Sequence, residues 1–213
     1  MALSGAALFF FVIGHLLGNL QIFLGPEPLN AYGHFLQSTP EILWPARVGL
    51  LAMVVLHIWS ALKLSAENKA ARPIPYANWH PTSASYASRT MLMSGLIIAA
   101  FVVYHLLHFT VQAKAVNLTG QDFGALVDAK GRHDVYRMMI AGFSYPVVSG
   151  FYVLAIGLLC LHLSHGAGAM FQSVGWKNEA YGRRIDRCAR VGAWVIFLGY
   201  SSIPLAVLLG YVK

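Results

Sequence analysis

The chain has 213 residues, of which 57% are hydrophobic and 11% are charged, and its mean hydropathy is +0.59. An average soluble domain has about 25% charged residues, so this composition excludes an ordinary soluble globular domain. The formal net charge is +7. The basic residues are spread over several connections and form no single stripe, which argues against a nucleic-acid-binding protein.

Five long apolar segments follow one another, and each reaches the roughly 20 residues that cross the hydrocarbon core of a bilayer. In chain order they cover residues 2–24, 42–65, 87–113, 142–165 and 189–212. The connections between them are too short to form a separate catalytic domain. The sequence therefore predicts an all-α membrane protein, a bundle of five transmembrane helices that forms one domain over residues 1–213.

The first segment is predicted to be a transmembrane helix and not a cleaved signal peptide. No basic region precedes its apolar stretch, and no small-residue cleavage site follows. His15, Asn19 and Gln21 lie inside it. We expect it to remain part of the folded bundle.

The basic residues are sorted between the two ends of the bundle. Nine of them flank the second and fourth connections: Lys63, Lys69, Arg72, Arg89, Lys177, Arg183, Arg184, Arg187 and Arg190. We call this end the basic side. The other six belong to the opposite side: Arg47, Lys114, Lys130, Arg132, Arg137 and Lys213. By the positive-inside rule, the basic side and the N-terminus are predicted to be cytoplasmic.

Histidines recur inside four successive apolar segments, as His15, His57, His105 and His162. An ionisable side chain in a membrane helix is costly to desolvate, so each is a candidate functional residue. An interhelical hydrogen bond would explain one such histidine. One histidine on each of four helices instead favours a shared role.

The depths of these histidines divide them into two pairs. With a rise of about 1.5 Å per residue, His15 and His105 lie in the outer half of the membrane, and His57 and His162 in the inner half. Two facing imidazoles at one level are the axial ligands that a bis-histidine haem b requires. We therefore predict an outer haem on His15 and His105 and an inner haem on His57 and His162, with irons about 10–15 Å apart.

The first two helices and the next two look like one hairpin used twice. His15-Leu16-Leu17 and His105-Leu106-Leu107 occupy matching outer positions, and each hairpin returns with an inner-half histidine. This repeat predicts the same pairing without reference to depth.

Several motifs resemble the dihaem cytochrome b membrane anchor of succinate dehydrogenase and fumarate reductase. They are MALSG at 1–5, HLLGNL at 15–20, SRTM at 88–91, YHLLHFT at 104–110, HLSHG at 162–166 and FQSVGW at 171–176. The resemblance extends over essentially the whole chain. It implies a b558-type subunit of respiratory complex II, a succinate:quinone oxidoreductase of the tricarboxylic acid cycle, in a bacterial inner membrane.

The resemblance also implies two haems b and a quinone substrate, which is typically menaquinone in dihaem members. It implies flavoprotein and iron–sulfur partner subunits on the cytoplasmic side, where the dicarboxylate chemistry takes place. The polar and aromatic stretch at residues 76–88 is a candidate docking surface for the iron–sulfur subunit, and a plain interfacial loop is the alternative. The whole complex is also a candidate oligomer.

The first histidine of each closely spaced pair takes the iron in the family pattern. His108 and His165 follow His105 and His162 by three residues on the same helix face, so they remain alternative ligands. Cys160 stands where some family members have a glutamate that moves protons. Proton coupling by that route is therefore not expected.

Further candidate contacts lie near the helix ends. Haem propionates need cationic or hydroxyl partners, and the candidates are Arg47 for the outer haem and Arg89, Ser85, Ser88 and His165 for the inner haem. Arginines that snorkel to the interface are the alternative. Candidate quinone contacts are Glu41, Gln37 and Trp44, although a carboxylate that simply faces water would also explain Glu41.

The remaining histidines and the cysteines carry no predicted chemistry. The two cysteines, Cys160 and Cys188, form no CxxC pair, so no iron–sulfur or zinc site is predicted. The remaining three histidines are predicted to be ordinary surface residues: His34, His80 and His133.

Two other functional classes fit the same pattern. One is a different five-helix cytochrome b, such as the membrane subunit of a nitrate reductase or hydrogenase, although those tend to place their ligands on fewer helices. The other is a haem-free transporter that uses the histidines as a proton relay.

Overall fold

The computed structural model describes residues 1–72, 74 and 84–213. Its α-helices, in chain order, are α1 Ala2–Asn19, α2 Pro26–Gln37, α3 Pro40–Ala70, α4 Tyr86–Arg89, α5 Met91–His105, α6 Val135–Phe143, α7 Pro146–Ser173 and α8 Gly182–Leu208. A 3₁₀ turn, Leu20–Leu24, extends α1, and a π-helical turn, Leu106–Thr110, extends α5. A short 3₁₀ turn, Phe123–Ala125, lies in the connection between α5 and α6.

Five helical segments are long and apolar enough to cross a membrane. They are Ala2–Leu24, Pro40–Ala70, Met91–Thr110, Pro146–Ser173 and Gly182–Leu208. The prediction of an all-α, multi-pass membrane protein with five spans is confirmed.

The ends of these spans differ from the predicted ends because apolar composition marks the bilayer core and not the helix. The fourth span begins at Pro146 and not at 142, since the proline ring suits the first helical turn. It continues beyond 165 to Ser173. The fifth begins at Gly182, because the arginine-rich stretch before 189 is also helical.

Two short helices on the opposite side, α2 and α6, were not predicted, and they are joined by a buried asparagine. The Asn30 side chain donates to the Asp134 carboxylate (3.0 Å) and accepts from the Tyr136 N–H (2.9 Å). Asp134 also caps α6 by accepting from the Arg137 N–H (3.0 Å). At Gly33 a Cβ atom would lie 2.8 Å from the Val135 side chain. These hydrogen bonds and the close packing at Gly33 therefore hold α2 and α6 together at this end of the bundle.

The hydrophobic core is concentrated in the half of the bundle that is farther from the basic side. Its buried members are Ile22, Leu29, Phe101, Met139, Phe143, Val148, Tyr152, Ala155, Ile156, Ile203, Ala206, Val207 and Val212. The helices α7 and α8 form the most extensive pair. In contrast, α3 packs beside α1 and α5 without a single buried residue. This helix carries His57.

On the side of the bundle opposite the basic side, ion pairs also link α2 to the connection that precedes α6. Glu27 on α2 lies 2.6 Å from Lys130 and 2.7 Å from Arg132, and Arg132 also pairs with Asp128 at 2.6 Å. Hydrogen bonds from Arg132 and Lys130 lower the pKa of Glu27. Burial of the Asp128 carboxylate works to raise its pKa, but hydrogen bonds from the Arg132 guanidinium and from backbone N–H groups outweigh it and lower the pKa to about 2.

These lowered pKa values predict that the link strengthens the fold at neutral pH and weakens it in acid. The contribution is complete above the ordinary carboxyl pKa of about 4. It is lost as the pH falls towards the folded-state pKa, about 2 for Asp128. We expect Arg132→Gln to lower the Tm of the detergent-solubilised protein at pH 7, and the difference from wild type to shrink steadily below pH 4. A Tm difference that stayed constant down to pH 3 would contradict this linkage. The control is Lys63→Gln, which removes an exposed 3.9 Å pair with Glu67 and a contact over the Trp59 ring.

Candidate functional site

Two imidazoles from α1 and α5 meet within the bundle. The ring centroids of His15 and His105 are 5.8 Å apart, and the ring planes are at 84°. Phe11, one turn earlier, stacks on the His15 ring at 5.3 Å. The Tyr200 ring on α8 lies 6.2 Å from the His15 ring, and its hydroxyl donates to the Val12 carbonyl of α1 (2.7 Å).

A second pair of imidazoles comes from α3 and α7. The ring centroids of His57 and His162 are 6.3 Å apart, with 63° between the ring planes. The structure thus brings together the same two pairs that the sequence predicts. Iron ligation by these pairs stays a prediction.

The two pairs lie at different levels of the bundle. Ser4 contacts His57, and Ser94 contacts His162. These serines are 11 residues before His15 and His105 on their respective helices. At the α-helical rise, this spacing corresponds to about 16 Å along the axis. The second pair therefore lies towards the basic side, and the first pair towards the opposite side.

A cavity of about 210 Å³ adjoins the first pair. Most of its wall is apolar, and its polar atoms come from a few side chains. It is lined by His15, Asn19, His105, Phe109, Thr110, Val135, Met138, Met139, Phe143, Tyr152, Val153, Ile156, Tyr200, Ile203 and Pro204. Its volume is below the roughly 300–1,000 Å³ of most ligand sites, but it shares their combination of apolar walls and a few convergent polar groups.

The spacing of both pairs matches one requirement of a bis-histidine haem. Two metal–imidazole bonds of about 2.0 Å each, together with the ring radii, place the centroids of two axial histidines about 6 Å apart. The observed distances are 5.8 Å and 6.3 Å. Each ring plane contains the metal–nitrogen axis, so the angle between the two rings is free to vary.

Glycines face the rings of the second pair. A Cβ atom at Gly5 would lie 3.3 Å from Cε1 of His57, and a Cβ atom at Gly95 would lie 3.4 Å from Cε1 of His162. Each ring thus packs against the backbone of the adjacent helix, in the manner of small-residue contacts between membrane helices.

His108, the alternative to His105, is fully buried away from the first pair. It packs against Phe109 at 4.0 Å and Phe123 at 5.8 Å, and its Nδ1 lies 3.0 Å from the Tyr152 hydroxyl. Its Nε2 has no hydrogen-bond partner among the described residues. The same Tyr152 hydroxyl is 3.4 Å from Nδ1 of His105. The geometry favours His105 as the partner of His15, because the π-helical turn after His105 takes His108 out of that register.

This placement predicts opposite results for two neighbouring substitutions. His105→Ala should abolish the haem that we predict on the first pair. His108→Ala should keep that haem, although the loss of a buried, packed ring is expected to cost about 2–4 kcal/mol of stability. Haem content and thermal unfolding of the two purified variants test this. Loss of the haem from His108→Ala in a protein that is still folded would show that His108 is the ligand.

The residues predicted to contact quinone or the outer haem propionates lie on the surface near the ends of α2 and α3. Glu41, Gln37 and Trp44 are exposed on α3 and α2. Arg47 is also exposed, and its guanidinium lies over the Trp44 ring at 5.3 Å. No described contact joins these four to the first pair, so their roles stay predictions.

On the basic side, the candidate propionate partners surround the short helix α4. The Arg89 guanidinium lies 6.0 Å from the centre of the Tyr86 ring. Ser85 caps this helix by accepting from the Ser88 N–H (3.1 Å). His165 is half-buried on α7, to which α4 packs.

The remaining predicted residues have varied surroundings. His34 is exposed on α2, and His133 is half-buried with Nε2 3.0 Å from the Gln112 amide. Cys160 is buried and Cys188 is exposed. Residues 76–83 of the candidate docking stretch, which include His80, lie outside the described residues.

The repeat between α1 and α5 is longer than the predicted His-Leu-Leu match. Ser4-Gly5, Phe11-Val12 and His15-Leu16-Leu17 recur as Ser94-Gly95, Phe101-Val102 and His105-Leu106-Leu107, each 90 residues later. The Ser-Gly steps contact the second pair of histidines, and the His-Leu-Leu steps supply the first pair. Aligning the two segments without gaps would have revealed the serines and glycines from sequence alone.

Comparison of the chain with protein-family models, curated proteins and solved structures found no match.

Proposed function

We propose that this chain is the membrane anchor and haem b subunit of a succinate:quinone oxidoreductase. It would pass electrons between an iron–sulfur subunit on the basic side and a quinone, with menaquinone the expected species. The observation that carries the proposal is the presence of two facing imidazole pairs, 5.8 Å and 6.3 Å apart by ring centroid, at two levels of one transmembrane bundle.

The residues of the chain have separable tasks in this proposal. When bound, a bis-histidine haem supplies reversible one-electron transfer without releasing a ligand. His57 and His162 would hold the haem nearer the basic side, and His15 and His105 the haem nearer the opposite side. The aromatic rings of Phe11 and Tyr200 beside His15 would exclude water from that level. A spacing of about 16 Å along the helices would let the two levels bridge about half of the roughly 30 Å bilayer core.

The charge distribution supports the assignment of the soluble partners to the basic side. Nine of the 15 Lys and Arg residues lie there, and positive charge of this kind marks the cytoplasmic face. Of the eight Asp and Glu residues, three lie there: Glu67, Glu179 and Asp186. The iron–sulfur and flavoprotein subunits would meet this face, and electrons would reach the His57 and His162 level first.

A reduced-minus-oxidised absorption spectrum of the purified chain tests the proposal. We expect a b-type signal and about two haems per chain by pyridine haemochrome assay. Purification from native membranes should also recover a flavoprotein and an iron–sulfur subunit. Absence of any b-type signal would favour the haem-free transporter, whereas a dihaem chain that co-purifies with a nitrate reductase or hydrogenase would identify the other class of cytochrome b.

A further inference from the structure

Two serines make matching contacts with the second pair of histidines. The Ser4 hydroxyl lies 3.2 Å from Nδ1 of His57, and the Ser94 hydroxyl lies 3.4 Å from Nδ1 of His162. Both serines are buried. They occupy equivalent positions in the repeat between α1 and α5, although the histidines that they contact belong to α3 and α7.

The hydrogen of each hydroxyl is already used within its own helix. Ser4 donates to the Met1 carbonyl (3.0 Å), and Ser94 donates to the Met91 carbonyl (3.2 Å). A serine hydroxyl has one hydrogen and two acceptor lone pairs. With that hydrogen engaged, each oxygen can accept a hydrogen bond, which makes the Nδ1 atoms of His57 and His162 the donors. The Met1 backbone also hydrogen-bonds the His57 ring.

From these hydrogen bonds we infer that Ser4 and Ser94 are positioning residues. They hold His57 and His162 in the tautomer that is protonated at Nδ1. In that tautomer Nε2 carries the free lone pair, and it is through this lone pair that the nitrogen would bind a haem iron. A hydrogen bond from the second ring nitrogen orients a metal-bound histidine and raises its basicity. This inference rests on the proposed function, and it assigns a role to two residues outside the set of axial ligands.

The first pair lacks this arrangement and provides an internal reference. The His105 ring meets the Tyr152 hydroxyl at 3.4 Å, and that hydroxyl also lies 3.0 Å from His108. Because the tyrosine can donate to either ring and accept from the other, it leaves the His105 tautomer open. Removing the serine hydroxyls should therefore affect only the haem that His57 and His162 hold.

The test is a redox titration, followed by optical spectroscopy, of the full-length protein carrying Ser4→Ala, Ser94→Ala or both. Loss of the hydrogen bond makes the imidazole less basic and destabilises the ferric state, so the midpoint potential of that haem should rise. For each serine we expect up to about a tenfold change in the reduction equilibrium, which is about 59 mV for a one-electron couple. The potential of the other haem should not change.

Two further variants separate positioning from packing. Ser4→Thr and Ser94→Thr keep the hydroxyl oxygen and should restore the wild-type potential, or the haem itself if an alanine variant loses it. Ser202→Ala removes a serine with the same kind of backbone bond, to the Gly199 carbonyl at 2.7 Å, and should leave both potentials unchanged. Two bound haems with unchanged potentials in the double alanine variant would overturn the inference, as would equal shifts from the alanine and threonine variants. A wild-type chain without haem would refute the proposed function itself.

Discussion

His57→Ala and His162→Ala are each expected to remove the same haem, while the second haem keeps its redox signal. The reason is that a bis-histidine site loses half of its metal ligation when either ring is removed, and the two rings are adjacent, at 6.3 Å. Haem content should fall from about two to about one per chain in each variant, with one midpoint potential missing from the titration.

The other pair should give the complementary result. His15→Ala and His105→Ala should remove the haem of the remaining potential, because these rings are 5.8 Å apart at the other level. His34→Ala is the matched control, since His34 is exposed on α2. If His57→Ala and His15→Ala removed one common haem, the pairing by level would be wrong.

Bulky side chains at the two glycines should also empty the second site selectively. A Cβ atom at Gly95 would already lie 3.4 Å from Cε1 of His162, and a Cβ atom at Gly5 would lie 3.3 Å from Cε1 of His57. An alanine methyl can be accommodated by a slight shift of the ring. The further atoms of a leucine cannot, and overpacking of this kind costs about 1–3 kcal/mol.

We therefore expect Gly95→Ala to retain both haems and Gly95→Leu to lose most of the haem held by His57 and His162. The same graded result is expected at Gly5. Haem content and redox titration of each purified variant measure it. Gly150→Leu is the control on the same helix as His162, because a Cβ atom at this exposed glycine meets nothing within 4 Å. Full retention of both haems by Gly5→Leu and Gly95→Leu would show that the rings are not confined as the structure places them.

The five spans were predictable because a local property determines them. A window of about 20 apolar residues must cross the bilayer as a helix, since lipid offers no hydrogen bonds to the backbone. The pairing of His15 with His105, and of His57 with His162, was also predictable, because depth follows from counting residues along antiparallel helices. In both cases the prediction needs only the position of a residue along its own helix.

The short helices α2 and α6 escaped prediction for a different reason. They lie outside the apolar segments, and their stability comes from contacts with each other, such as the bonds from Asn30 to Asp134 and Tyr136. Pro26 at the start of α2 and Asp134 at the N-cap of α6 are local signals that point to them, but such signals occur in many turns as well.

By itself, then, the amino-acid sequence determined that this is a five-span helical membrane protein with histidines at two depths, because hydropathy, length and spacing are properties of single segments. Only the tertiary structure decided which way each side chain points around its helix axis. It is that rotation which buries His108 beside Tyr152, leaves His105 facing His15, and brings Ser4 and Ser94 to the imidazoles of two other helices. Rotation is set by how neighbouring helices pack, and packing depends on residues that are far apart in the chain.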